Sequence, residues 1–463
     1  MNAKKSPLLI IFLVIFIDLV GFGIVIPILP YYATRYGASP AELGWLMMCY
    51  SAAQFFFAPL WGRLSDHIGR RPVLLFSMFG TSLSMVILGI APDLLWLFFG
   101  RIFGGISGAN ISTATAYISD VTTPENRAKG MGMIGAAFGL GFIFGPAIGG
   151  VLSRYGYSAP MFFAAGLSFV NIIFAYYRLT EPASTKAVRE KNRVKRFDKQ
   201  AFIETMGDSR TRMATLLFFL ATLAITQLEV CFALFMTDRY KYDAQAAGWL
   251  LAFMGTMMVV IQGGFIGKLS KKFGEGYLIL LGTLFMAIGL IFFALSQHAA
   301  IVIFALSLLA VGNGITNPSL SSLASKGARA ERRGATLGVY QSAGSLARVL
   351  GPPIAGWMYG ALGMAVPFLS AAFLMFTAGF LTVLRWSALC ATEDGFRKGL
   401  LRFRFFRWVK EATQIFRTRG LKALVKTYGW KMVAGFIAYY LVRDVTLYIL
   451  LPWMAAQGIL SLK

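Results

Sequence analysis

The sequence predicts an all-α integral membrane protein with twelve spans in two six-helix halves, followed by an extra apolar helix near the C-terminus. Three observations carry this. Of 463 residues, 57% are hydrophobic and only 14% charged, with a mean hydropathy of +0.66. A soluble domain carries about 25% charged residues, a proportion that suits water and not lipid. Apolar runs of about 20 residues, each long enough for a bilayer, recur along the chain. The chain also repeats itself: Gly62-Arg-Leu-Ser-Asp66-His-Ile-Gly69 returns as Gly267-Lys-Leu-Ser-Lys271-Lys-Phe-Gly274 at an offset of 205. Glu125-Asn-Arg127 returns as Glu331-Arg-Arg333, and Gly145-Pro146 as Gly351-Pro352, both at 206. Parallel repeats of this kind place a substrate site between the halves, near the bilayer midplane.

The first run, 8–30, has only Lys4 and Lys5 ahead of it and no convincing cleavage site, so it reads as an uncleaved span. Runs at 43–61, 73–91, 94–117, 131–153 and 160–178 complete the first half, residues 1–178. A polar linker, 179–212, holds nine basic residues from Lys186 to Arg212. The second half, 213–386, carries runs at 213–236, 247–266, 277–296, 299–320, 334–358 and 364–386. The even-numbered connections are basic (Arg63, Arg70, Arg71; Arg127, Lys129; Lys268, Lys271, Lys272; Lys326, Arg329, Arg332, Arg333) and the odd-numbered ones nearly bare. By the positive-inside rule the N-terminus and the linker are expected in the cytosol. Beyond the twelfth span lies a basic, aromatic tail, 387–463, whose stretch Arg397–Lys431 reads as amphipathic and suited to an anionic leaflet. Within it 432–452 fits either a thirteenth span or a re-entrant segment.

The formal net charge of +24 sits in short clusters between apolar runs and in the tail, which excludes a nucleic-acid stripe. Cys49, Cys231 and Cys390 form no CxxC, so neither a disulfide framework nor a zinc site is expected. No GxxxxGK[ST], HExxH or GxSxG occurs, and Gly130-Met-Gly132-Met-Ile-Gly135 follows no strand, so nucleotide binding and covalent chemistry find no support. No cofactor, metal or obligate protein partner is expected.

Charges inside the spans are the functional candidates. Asp18 sits mid-helix in an apolar run, where insertion costs about 2.5–3.5 kcal/mol. A carboxyl in low dielectric can exchange protons near neutral pH, and a structural hydrogen bond or ion pair is the plainer alternative. Counting helix rise puts Arg101 at a similar depth, as modulator or structural clamp. Glu229 and Arg348 form a second pair by the same count, and Glu229 fits a proton site, a partner for cationic substrates or a solvated position. Gln54, Asn110, Gln227, Asn313 and Gln341 fit a cavity lining as well as interhelical bonding.

Three signatures carry a resemblance to the drug–proton antiporters of the major facilitator superfamily, especially the tetracycline efflux proteins, over residues 8–386. The loop after the second span reads Gly62-Arg-Leu-Ser-Asp66-His-Ile-Gly69-Arg70-Arg71-Pro72; the fourth span carries Arg101-x2-Gly104-Gly105-x2-Gly108. The fifth carries Gly135-x3-Gly139-x-Gly141-x3-Gly145-Pro146-x2-Gly149-Gly150, similar to a motif of exporters. The resemblance implies proton-coupled export of small amphipathic compounds across a bacterial-type inner membrane, with membrane lipids as surroundings. It implies a coupling role for Asp18 and a gating role for the loop of Gly62, Asp66, Gly69, Arg70 and Arg71. It also implies a tight, leak-limiting helix at Gly141, Gly145, Pro146 and Gly149. Asp66 is expected to meet the positive N-terminal end of the eleventh span. Lys271 stands at the equivalent place in the second half, so this lock is expected to be one-sided. A lipid or lysolipid exporter, or a non-transporting receptor or scaffold, are the alternatives.

Overall fold

A computed structural model describes residues 7–108, 110–122, 124–182, 203, 205–327 and 333–386; side chains 7, 110–111, 124–129, 131 and 333–335 lie outside the description. The tail 387–463, with its extra apolar helix, and most of the linker lie outside the described residues.

The first half contains α1 (Pro7–Arg35), α2 (Pro40–Ile68), α3 (Arg70–Gly89), α4 (Leu94–Ser107), α5 (Asn110–Val121), α6 (Pro124–Leu152) and α7 (Ser158–Arg178). The second contains α8 (Ser209–Tyr240), α9 (Ala244–Val260), α10 (Ile266–Phe273), α11 (Glu275–Ala294), α12 (Ala299–Gly327), α13 (Arg333–Leu362) and α14 (Val366–Leu384). Short polar side chains start the helices at the bare connections. Ser39 forms a capping box with Glu42, and Asp93 and Asp243 accept from the backbone N–H groups of Trp96 and Ala246 at 3.1 and 2.8 Å.

Among the described residues eleven helices are long and apolar enough to cross a membrane. The remaining expected span, the eleventh in chain order, is α13, which has the length at 30 residues but a more polar, Gly- and Ser-rich sequence. Two spans depart from continuous helices. The fourth is broken between α4 and α5. Its orphaned carbonyls are satisfied from neighbouring helices: Trp61 Nε1 donates to Ile106, Gln54 Nε2 to Gly108 at 2.8 Å, and Ser77 Oγ to Ser107. Irregular backbone at membrane depth survives only with such partners. The eighth span joins α9 to α10 through a π turn, Ile261–Phe265.

The halves meet along two seams, and each is the same contact. On α2, a Cβ at Gly44 would lie 2.5 Å from the Pro352 carbonyl of α13; on α9, a Cβ at Gly248 would lie 2.5 Å from the Pro146 carbonyl of α6. Only glycine permits backbones to approach so closely. The seams continue toward the bare connections. There Gly150 meets Gln245 at 3.2 Å, Arg154 bonds Gln245, and the Tyr31 hydroxyl donates to the Tyr242 carbonyl at 3.2 Å. Toward the basic connections a Cβ at Gly62, Gly132, Gly135, Gly263, Gly264, Gly267 or Gly338 meets no described atom within 4 Å. The contacts described between the halves thus close the bare face.

Candidate functional site

Arg101, Gly104, Gly105 and Gly108 stand at i, i+3, i+4 and i+7, one stripe of the fourth span. Tyr50 of α2 lies on that stripe. Its ring carbon is 3.6 Å from a Cβ at Gly104, its hydroxyl 3.1 Å from one at Gly108, and its carbonyl abuts Gly105. The bed of glycines brings the Tyr50 ring under the Arg101 guanidinium, 4.3 Å from the ring centre. Arg101 is only 6% exposed, its Nε finds no acceptor, and its guanidinium makes no ion pair among the described residues. A cation held this way is attracted by the quadrupole of the ring.

Further charges converge on the same ring. Asp18, half-buried on α1, and Arg348, exposed on α13, both lie within electrostatic reach of Tyr50. Arg348 in turn lies within reach of half-buried Glu229 on α8, with no direct ion pair between the two. Of Asp18 and Arg101, read from sequence as partners, Arg101 lies on the Tyr50 ring. Of the four charges read from the sequence, Arg101 lies on the Tyr50 ring, Asp18 and Arg348 lie within its electrostatic reach, and Glu229 lies within reach of Arg348.

The polar residues divide. Gln54 is spent on the Gly108 carbonyl. Gln227 is 2% exposed and accepts from Ser370 of α14, so here it faces its own half. Asn313 accepts from Asn317 at 2.6 Å and donates to the Met258 sulfur. Gln341 is exposed on α13, and the Asn110 side chain lies outside the described residues. On α6, Gly141, Gly145 and Gly149 press on α1: a Cβ would come within 2.8 Å of Leu19, 2.5 Å of Gly23 and 2.8 Å of Ile24 respectively. Pro146 supplies the seam carbonyl described above. At the closed face a cavity of about 480 Å³ remains between the halves, its polar wall including Arg35, Tyr157, Thr237 and Asp238.

At the basic face Arg70 bridges two acids, Asp66 at 2.6 Å and Asp120 at 3.0 Å, and donates to Ser65 at 2.6 Å. The Glu181 carboxylate accepts the backbone N–H groups of Arg70 and Arg71 at 2.7 and 2.8 Å, and Arg71 donates to the Tyr176 carbonyl. Gly69 has φ +117°, and a Cβ there would sit 2.8 Å from Glu181. Gly62, by contrast, stands in open space. The contact expected between Asp66 and the eleventh span falls where side chains 333–335 are outside the description. The second half holds an ion pair of its own: Glu275 with Lys326 at 2.6 Å, joined by Ser322 at 2.8 Å. Each half therefore carries a charged network at this turn, with Lys271 at the place of Asp66.

Sequence reasoning passed over Tyr50, Asp120, Glu181 and Glu275, and read Lys326 only as a charge of a basic connection. The offsets of 205 and 206, applied to Arg70 and Asp120, point directly to Glu275 and Lys326.

Residues 11–352 match the family model described as Major Facilitator Superfamily. The chain is 34% identical over 356 residues to the class E tetracycline resistance protein of Escherichia coli, covering 75% of this chain and 86% of that protein. It is 28% identical over 387 residues to multidrug resistance protein 2 of Bacillus subtilis, covering 82% and 96%. Among solved structures, a bacterial homologue of the human lysosomal transporter Spinster, in an inward-facing and unoccupied conformation, aligns with a TM-score of 0.65. It shares 15% identity and covers 84% of this chain and 97% of that one, a likeness of fold.

Proposed function

The chain belongs to the Major Facilitator Superfamily, and from that premise we propose that it exports small amphipathic compounds, tetracycline-like molecules among them, in exchange for protons by alternating access. One observation carries the reading: the buried Arg101 lies on the Tyr50 ring, with Asp18 and Arg348 within electrostatic reach of that ring and Glu229 within reach of Arg348, on five spans of both halves. Charge at this depth is costly and needs a use. Asp18 carries the coupling proton, Arg101 sets its affinity, and Glu229 with Arg348 forms a second charged pair facing the substrate. Gln341 lines the open cleft, and Gln54, Gln227 and Asn313 hold the wall behind it.

The basic connections lie in the cytosol of a bacterial-type inner membrane, with the N-terminus on the same side. The basic face is then the loading face, and the seams at Gly44–Pro352 and Gly248–Pro146 are the closed outer gate. The loop of Asp66 and Arg70 latches the cytosolic side once the halves rock over. The glycine ridge of α6 keeps the seam tight against proton leak.

Proton release in energised inverted vesicles tests this, read with a pH dye on addition of tetracyclines, lipophilic cations or lysolipids. The expected result is a substrate-dependent signal with the first two classes, lost in Asp18→Asn. A signal with lysolipids alone would reassign the cargo to lipid. Silence across the panel, with no substrate uptake, would favour a non-transporting role.

A further inference from the structure

Arg348 stands near the middle of the 30-residue helix α13, about 20 Å from either end at helical rise, too deep for its side chain to snorkel to an interface. It is exposed and makes no hydrogen bond or ion pair among the described residues. The other sides of α13 define what that exposure faces. Tyr340, Ala347 and Ala355 are buried, and Cβ atoms on Gly344 and Gly351 would collide with Phe218 and Thr226, so one side packs on α8. Leu346, Leu350, Ile354 and Trp357 form an exposed apolar side suited to lipid. Gln341, Ser345 and Arg348, at i, i+4 and i+7, share a third side, opposite the apolar one. Pro352 and Gly356 continue that stripe, and they are the residues that meet Gly44 and Pro40 of α2. The stripe that seals on α2 toward the bare connections is therefore polar midway along the helix, with Gln341 and Arg348 exposed and Ser345 half-buried.

The other seam is built differently at the same places. At the offset of 206, the counterparts of Gln341, Ser345 and Arg348 are Gly135, Gly139 and Phe142 on α6. There the packing continues: a Cβ on Gly139 would collide with Val259, and one on Gly255 would lie 2.8 Å from the Phe142 carbonyl. The counterparts of Gly255 and Val259 on α2, at an offset of 204, are Ser51 and Phe55. One seam is zipped with glycine and hydrocarbon. The other carries hydroxyl, amide and guanidinium there, and no glycine to bring the backbones together.

We propose that Gln341, Ser345 and Arg348 form a binding site for the acidic group of an amphipathic substrate, a carboxylate, enolate or sulfonate. This rests on the export reading above and names a substrate class for it. A guanidinium takes two oxygens of such a group at once, with charge-assisted bonds. Ser345 and Gln341 add donors one and two turns along the same stripe; the Ser345 hydroxyl, bonded here to the Gln341 carbonyl at 3.2 Å, turns to the ligand. Glu229 lies within electrostatic reach of Arg348 without an ion pair, so the guanidinium fork is free. Lipophilic cations do not use this site.

Three fluorescent probes with one apolar body test this: dansylglycine, an acid; dansylamide, neutral; and dansylcadaverine, a cation. Their dissociation constants are measured on the full chain in lipid nanodiscs, with empty nanodiscs subtracted. Wild type is expected to bind dansylglycine more tightly than dansylamide. Arg348→Gln is expected to weaken dansylglycine about 10-fold, the scale of one charged hydrogen bond, and to leave dansylamide and dansylcadaverine unweakened. Arg348→Lys, which keeps the charge and loses the fork, is expected to fall between the two. A wild type without preference for the acid, or an equal loss of acid and neutral probe in Arg348→Gln, overturns the proposal. If Arg348→Gln does not fold, Ser345→Asp sets a carboxylate one turn from the guanidinium and is expected to weaken dansylglycine likewise; unchanged binding there also overturns it. The readout is independent of transport. Silence of the vesicle panel beside Arg348-dependent acid binding would defeat the export reading and leave the site standing, while export without any acid preference in binding would defeat the site alone.

Discussion

The two halves brace the same turn with opposite charge. In the first, Ser65, Asp66, Gly69, Arg70 and Asp120 hold the turn between α2 and α3; in the second, Ser270, Lys271, Gly274, Glu275 and Lys326 stand at the repeat-related positions between α10 and α11. Each charged member is reversed. What the turn requires is a pair across it, not a polarity. Polarity has a consequence for the helix that follows. Glu275 opens α11, where four free N–H groups make a negative side chain welcome, so one carboxylate serves both the pair and the helix end. Arg70 opens α3 with the wrong sign. The first half supplies the missing carboxylate from outside: Glu181, just past α7, takes the N–H groups of Arg70 and Arg71. The cost of reversing the pair is thus an extra tie between the third span and the start of the linker.

The comparison can be broken most severely at Arg70. Arg70→Ala removes the cation that Asp66 and Asp120 share. Loss of a buried partner costs about 3–5 kcal/mol, and the 12–40% exposure of these side chains reduces that to about 2–3 kcal/mol. A lowered midpoint in detergent unfolding of that size is expected, and an unchanged midpoint would mean the acids are independently solvated. A sharper probe follows from the helix end. Glu181→Gln is expected to cost about 1–2 kcal/mol in wild type, the usual value of a helix N-cap. In the double charge swap Arg70→Glu with Asp120→Lys the same change should cost almost nothing, because the helix end then carries its own carboxylate. Equal costs in both backgrounds would show that Glu181 acts on something other than the α3 end. The smallest effect is expected from Glu275→Gln. Lys326 is 54% exposed, so its pair is largely screened, and a loss of about 0.5–1 kcal/mol is expected from the same unfolding measurement.

The twelve spans were legible in composition because length and apolarity are sums over many residues, and single exceptions average away. The same averaging hid the break after Ser107 and the π turn after Val260, which change the backbone without changing hydropathy. Asp18, Arg101, Glu229 and Arg348 stood out because a charge in an apolar run is rare. Tyr50 did not, since an aromatic residue in a membrane span is common and nothing local marks the glycines of α4 as its bed. Glu181 was absorbed into a polar linker, and Glu275 was overshadowed by the lysines before it. Such roles are set by tertiary neighbours alone. Gln227 shows the converse: a polar residue in a span suggested a cavity, and its partner Ser370 on α14 spends it on packing.

The π turn lies where the two halves differ in count. Gly44-Trp45 and Gly248-Trp249 are separated by 204 positions, whereas Gly62 and Gly267, past the turn, are separated by 205. The second half thus holds one residue more than the first between these marks, and Ile261–Phe265 lies within that stretch. A turn that closes over five residues instead of four holds one more amino acid without adding a turn. A one-residue difference that would otherwise rotate every side chain beyond it by about 100° is thereby taken up within one turn.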